Sequence, residues 1–216
     1  MMATPATPFT AFEVPIRIGG ELPSHPLARA ARDGDLAGVQ RALEGVAPRV
    51  RRTVWGILGR AHPDGEDVVQ HALLAFIQAL PTFRGECEPD AYAARIAARI
   101  AIDAAKRTRA ARARRDDDVE PDALSSRTGA PAAACAEARR KEIVRELLTQ
   151  ISPEQAEAMA LRFMLGWSLD EIAKATRVPL NTVRSRLGLA KKALRAAIER
   201  DPVLCEELDE LREANR

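Results

Sequence analysis

From Ala91 to Arg115 the chain is written almost wholly in alanine and arginine, AYAARIAARIAIDAAKRTRAARARR. Both residues are strong helix formers, so the stretch predicts one long helix. Its apolar line is narrow, Tyr92, Ile96 and Ile100, and a helix with a slim buried face is expected. Asp103 stands four residues from Arg99 and four from Arg107, in reach of both along such a helix. The bias extends to the whole chain: 41 alanines against 4% aromatics favour packed helices over a β-sandwich. At 216 residues there is room for one large domain or two small ones.

Helical periodicity recurs on both sides of this stretch. Residues 1–25 mix Pro, Thr and Gly and are expected to form a disordered leader. Leu36, Val39 and Leu43, and then Val50, Val54 and Ile57, repeat at helical spacing, and Pro48 between them predicts a break into two helices. Asp64 to Leu80 predicts another helix with Val69, Leu73, Phe76, Ile77 and Leu80 on a broad face. Pro81 ends it, and PTFRGECEPD reads as a loop. After the Ala/Arg helix, the acidic DDDVEPD and the small-residue run SSRTGAPAAACAEA mark a linker over 109–140. Periodicity resumes with Ile143, Leu147 and Leu148. The expected organisation is all-α: a helical domain over 26–108, a flexible linker, a second helical domain over 141–200, and an acidic tail over 201–216.

Several function classes drop out. No run of about 18 apolar residues exists, so no membrane insertion is expected. The opening residues lack a basic segment followed by an apolar one, against a secretory signal. Cys87, Cys135 and Cys205 lie far apart and leave an odd thiol, which suits a reducing cytosol, hence a cytoplasmic protein. His25, His62 and His71 do not pair at metal-ligand spacing. The common catalytic signatures are absent, so no catalytic residue, metal or cofactor is expected and the chain does not read as an enzyme.

The second helical domain carries the most specific pattern. Ser152-Pro153-Glu154-Gln155 and Ser168-Leu169-Asp170-Glu171 both have capping-box spacing. The second opens a short helix, LDEIAKAT. Arg177-Val178-Pro179 then makes a turn into LNTVRSRLGLAKKALRAAIER. A short helix, a tight turn and a basic helix describe a helix-turn-helix, with Ile172, Ala173, Val178, Val183 and Leu187 as its small core. Asn181, Arg184, Ser185 and Gly188 share the opposite face, the groove-facing side of a recognition helix. Arg184 suits a guanine edge and Asn181 a base or a phosphate; Arg177, Arg186, Lys191 and Lys192 suit phosphates.

SLDEIAKATRVPLNTVRSRLGLAKKAL resembles region 4 of bacterial RNA polymerase sigma factors, above all the extracytoplasmic-function (ECF) group, and VP-x-x-TV-x-SRL at 178–187 is its most specific phrase. APRVRRTVWGILG, GEDVVQHALLAFIQAL and FRGECEPDAYAARIAARIAIDAAKR resemble, in order, regions 2.1, 2.2 and 2.3–2.4 of the same family. The resemblance implies a sigma factor that binds core RNA polymerase and directs promoter-specific initiation. It assigns Asp67, Gln70, His71, Leu74 and Gln78 to the largest polymerase subunits, with ordinary core packing as the other reading of Leu74. It assigns Phe83, Arg84, Tyr92, Arg95, Arg99, Lys106 and Arg107 to the minus-ten element, where Phe83 serves either as packing or as a stacking group for a flipped base. It assigns Arg177, Asn181, Thr182, Arg184, Ser185, Arg186 and Lys191 to the minus-thirty-five element. An anti-sigma factor is a further partner the resemblance allows. Tyr92 stands where relatives often have Trp, Ala98-Arg99 where they have Arg-Asn, His71 where they have Glu, and Gly188-Leu189 where they have His-Arg.

Charge agrees with this division. Residues 91–115 hold eight Arg or Lys against Asp103, and 177–200 hold seven against Glu199, so a formal total of +2 conceals two cationic surfaces. The acidic DDDVEPD reads either as a nucleic-acid mimic or as a solvated spacer. A stand-alone helix-turn-helix regulator leaves the region 2-like helices without a purpose. An anti-sigma factor of the zinc-containing kind lacks its H-x-x-x-C-x-x-C, and a DNA-processing enzyme lacks a convergent acid, base or metal set.

Overall fold

In the computed structural model, residues 25–116 and 132–201 are described, together with 205, 206 and 208. The element order is α1 (Pro26–Asp33), α2 (Leu36–Leu58), α3 (Gly65–Ala79), a 3₁₀ turn (Leu80–Thr82), α4 (Pro89–Asp116), α5 (Ala132–Leu148), α6 (Pro153–Met159), a π turn (Ala160–Met164), α7 (Leu169–Thr176) and α8 (Leu180–Arg200). No strand occurs among the described residues.

Local chemistry sets the helix starts. The Asp35 carboxylate accepts from Gly38 N at 2.9 Å, and the His25 ring accepts from Leu27 N at 3.2 Å. At Ser168 the capping box is complete: its hydroxyl accepts from Glu171 N at 3.2 Å while the Glu171 carboxylate accepts from Ser168 N at 2.7 Å. These bonds to its charged form hold the Glu171 carboxyl below the usual range.

Two expectations are corrected. Pro48 does not divide the chain: it lies inside the continuous 23-residue α2. Proline costs a helix one hydrogen bond, but Val46, Val50, Val54 and Ile57 keep one buried register across it, and that packing overrides the local penalty. Leu36, at the start of the same helix, is 82% exposed and contributes nothing to the core. The Ala/Arg helix is long, as expected, yet its buried face is not slim. Tyr92, Ala93, Ala94, Ile96, Ala97, Ala98, Ile100, Ala101, Ile102 and Ala104 are all buried, so α4 is the central helix of the molecule. Alanine lets neighbouring backbones approach closely, and an all-round buried helix shows no dominant apolar stripe.

α2, α3 and α4 form the first half; α6, α7 and α8 pack on one another to form the second. One hydrophobic core runs through both, from Val50, Phe76 and Ile100 to Leu161, Trp167, Ile172 and Val183. A satellite cluster joins α5 to α8 through Ile143, Leu147 and Ala197. Helix occupies both ends of the span read as linker, to Asp116 and from Ala132. The acidic stretch beyond Asp116, the leader to residue 24 and most of the tail lie outside the described residues.

Candidate nucleic-acid interface

The helix-turn-helix is built by α7, the Arg177–Pro179 turn and α8. Ile172, Val183, Leu187 and Ala190 are buried between the helices, and Ala173 and Val178 are half-buried against them. The turn reverses at Arg177, whose φ of 56° is the only positive value at a non-glycine among the described residues. The register leaves Asn181, Arg184, Ser185 and Gly188 exposed together on one face, with Thr182 and Arg186 half-buried at its side. Arg184 Nη1 donates to Asn181 Oδ1 at 3.2 Å, which holds both polar ends at the same level of the helix. Lys191 is exposed, its ammonium 5.6 Å from the centre of the Phe163 ring.

α3 presents a different face. Asp67, Gln70, Leu74 and Gln78 are exposed in a row, with His71 half-buried beside them. Leu74 is 57% exposed and lies outside the hydrophobic core. Opposite, Val68, Val69, Ala72, Ala75, Phe76 and Ala79 bury the helix against α2 and α4. Gly65 starts α3 directly beneath the Trp55 indole, where any Cβ would clash with the ring.

The minus-ten candidates are less accessible. Phe83 is 1% exposed, edge-on to His25 at 4.7 Å and tilted against Tyr92 at 4.9 Å between ring centres. It therefore packs and does not offer a stacking face. Gly85 has φ 74°, and a Cβ there would press on the His25 ring. Arg84 is exposed, while Tyr92 is buried, and burial pushes its hydroxyl pKa up.

Three cations of α4, Arg95, Lys106 and Arg109, face the second half of the molecule. Arg95 Nε meets Glu157 Oε1 of α6 at 3.0 Å, and Glu157 is 3% exposed. Lys106 Nζ donates to the Ile151 carbonyl at 2.8 Å. Arg109, farther along, donates to Thr149 Oγ1 at 2.9 Å. Arg99 is half-buried and Arg107 exposed. The second half reciprocates: Arg177 Nε of the turn pairs with Glu86 Oε2 of the α3–α4 loop at 2.9 Å. Cys87 sits in this seam; burial raises its thiol pKa, and Arg177 and Arg95 oppose the rise. On the far side Arg145 Nε donates to the Gly56 carbonyl at 3.2 Å, and the Arg49 guanidinium lies 5.8 Å from the centre of the Trp167 ring.

Sequence reasoning placed the cations but missed their partners, Glu157, Glu86 and the Ile151 carbonyl. For Glu157 a signal existed: it is three residues before Ala160 and four before Leu161, both buried, so the carboxylate shares the buried face of its helix. Among the described residues no group of His, Cys, Asp or Glu could hold a metal ion, and no helix is long and apolar enough to cross a membrane.

Comparison with known proteins agrees along the chain. The family profile described as Sigma-70 region 2 matches residues 43–111, and that described as Sigma-70, region 4 matches 141–194. The ECF RNA polymerase sigma-E factor of Escherichia coli K12 is 31% identical over 169 residues, covering 73% of this chain and 86% of the relative. The RNA polymerase sigma-H factor of Pseudomonas aeruginosa is 30% identical over 175 residues, covering 75% and 89%. Among solved structures, the sigma factor RpoE in complex with the anti-sigma factor NepR, from Bartonella quintana, aligns with 75% of this chain and 97% of its own at 21% identity and a TM-score of 0.43.

Proposed function

The chain belongs to the sigma-70 family of RNA polymerase sigma factors, in its ECF branch, and we propose how its surfaces divide the work. As a sigma factor it directs promoter-specific transcription initiation by core RNA polymerase. The exposed row Asp67, Gln70, His71, Leu74 and Gln78 docks on the largest polymerase subunits. Leu74 is the apolar anchor at the centre of that patch, where a few residues carry most of the binding energy.

The recognition face reads the minus-thirty-five element in the major groove. Arg184 takes a guanine edge, Asn181 and Ser185 flank it, and Thr182, Arg186 and Lys191 hold phosphates. Arg84, Arg95, Arg99, Lys106 and Arg107 follow the strands at the minus-ten element, while Phe83 and Tyr92 shape the loop from within. The protein acts as a non-catalytic specificity subunit in the cytoplasm. An anti-sigma factor is a fitting regulator, because its docking would exclude polymerase. The domain limits follow the same division, with 26–108 as region 2 and 141–200 as region 4.

The observation that carries this reading is the presence, in one chain and in order, of a three-helix unit with an exposed polar-and-leucine face and a helix-turn-helix with an exposed Asn-Arg-Ser face. Purified chain added to core polymerase should form a stable complex and start transcripts at discrete sites on fragments of its own genome. A chain that neither binds core nor changes where transcripts start would overturn the proposal. A stand-alone regulator would instead protect duplex DNA without polymerase.

A further inference from the structure

A cleft of about 500 Å³ opens between the later turns of α2, the last turns of α5 and the π turn. Its volume is that of a small-molecule site. Arg49 and Arg52 of α2 and Lys141 and Arg145 of α5 line it, and among the described residues no acidic side chain does. Glu171 and Glu142 lie close enough to act on Arg49 and Arg145, but the first caps α7 at Ser168 and the second pairs with Arg139. Cations of one sign gathered in a cleft focus an attractive field for an anion.

Two polar atoms in the wall of this cleft are unsatisfied. The Thr53 side chain is 0% exposed, and its hydroxyl has no hydrogen-bond partner among the described residues; neither has the buried Arg49 Nε. Glu157 and Thr176, the other buried polar side chains of the described residues, are both bonded, to Arg95 at 3.0 Å and to the Ile172 carbonyl at 2.6 Å. A buried hydroxyl without a partner costs stability, so one that faces a cationic cleft points to an acceptor supplied from outside the chain. The cations are also held in place. Arg49 lies over the Trp167 ring, and Arg145 Nε donates to the Gly56 carbonyl. Burial lowers the Arg145 pKa, and a bound anion would relieve that cost. The remaining wall is apolar and faces water: Phe163 is 56% and Val144 37% exposed.

We propose that this cleft binds a small organic polyphosphate of the nucleoside di- or triphosphate class. The phosphates lie among Arg49, Arg52, Lys141 and Arg145, one phosphate oxygen accepts from the Thr53 hydroxyl, and the base lies against Phe163 and Val144. Bidentate guanidinium–phosphate contacts supply the strength, and a planar base covers the exposed ring and valine. The inference goes beyond the polymerase and promoter surfaces and does not rest on them.

The test is isothermal titration calorimetry of the full chain with ADP, adenosine and inorganic pyrophosphate, at physiological salt to screen diffuse surface charge. ADP should bind saturably, one per chain, and adenosine and pyrophosphate each at least about tenfold more weakly. Arg52→Gln removes an exposed cation of the cleft and should weaken ADP about tenfold. Arg41→Gln removes the same charge from an exposed site on α2 outside the cleft and should leave binding unchanged.

Thr53→Val separates a ligand-binding role from a structural one. Valine keeps the shape and removes the unsatisfied hydroxyl, so the variant should melt at or above wild type while binding ADP about tenfold more weakly. Absence of ADP binding, equal weakening by Arg41→Gln and Arg52→Gln, or a Thr53→Val chain that melts lower and binds ADP as wild type would each overturn the proposal. Pyrophosphate binding as tight as that of ADP would overturn the nucleoside part, because the apolar wall would then contribute nothing.

Discussion

Gly65→Ala sets two effects of opposite sign against each other. In an exposed helix interior the exchange favours alanine by about 1 kcal/mol, and by less at a first helical position. Against this, the new methyl would overlap the Trp55 ring, which lies over Gly65 with no space between. Trp55 is half-buried, so the indole can swing toward solvent and the clash need not be carried as strain. The swing re-exposes apolar area. About 60–80 Å² at about 25 cal/mol per Å² gives about 1.5–2 kcal/mol, with some added loss of close packing. The packing side wins, and a net destabilisation of about 1 kcal/mol or slightly more is expected.

A domain of this size loses about 2–4 °C of Tm per kcal/mol, so the melting temperature should fall by about 2–5 °C. Thermal unfolding followed by circular dichroism gives the shift, and tryptophan emission reports the swing directly, as Trp55 is one of only two tryptophans. Because Gly65 seats α3, the polymerase-facing row should tilt and core affinity should weaken as well. A variant that melts at or above wild type, with unchanged emission, would refute the view that Trp55 fixes the approach of α2 and α3.

Arg184→Ala should relax base preference at one position of the minus-thirty-five element, costing about 1–3 kcal/mol of discrimination in a binding assay against single-base variants of the site, with no loss of core binding. Leu74→Glu should weaken the complex with core polymerase about 30-fold in a titration, the loss of a hot spot of about 2 kcal/mol, while leaving the thermal melt within about 0.5 kcal/mol of wild type because Leu74 is exposed and outside the core. His62, held 3.0 Å from Thr108 Oγ1, has its pKa lowered below the ordinary value, chiefly by burial. The folded state thus resists protonation, so the stability it contributes is present above about pH 6.5 and is lost as pH falls below it. His62→Gln should flatten the fall of Tm between about pH 7 and pH 5, by part only, because burial lowers His71 in the same direction.

What was legible in the sequence was what is decided locally. The cap at Ser168, the turn at Arg177 and the apolar spacing of Val183 and Leu187 each act within a few residues, and together they defined the helix-turn-helix and its outer face. The row on α3 came from the family resemblance, and the structure leaves Asp67, Gln70, Leu74 and Gln78 exposed on it. What was not legible depends on neighbours distant in sequence. Pro48 is a helix breaker by local rule, and only the valines packed on either side of it keep α2 whole. The alanines of α4 carry no amphipathic signal, yet Ala93, Ala94, Ala97, Ala98, Ala101 and Ala104 are all buried because helices cover them from several directions. The partner of Arg95 lies 62 residues away on α6, a distance no periodicity reaches.

Arg177 stands at a backbone position that glycine fills without strain and that costs any other residue about 1 kcal/mol. Its side chain does not enter the core, so the turn itself requires nothing that arginine supplies. The reward for the strained residue is the reach of its guanidinium, which meets Glu86 at 2.9 Å. Turn geometry and charge are thus separable at this one position: glycine would leave the two helices docked at their present angle and remove the guanidinium alone. A single substitution can therefore cut the tie between the turn and the α3–α4 loop while leaving the helix pair intact, though it takes one of the phosphate-facing cations with it.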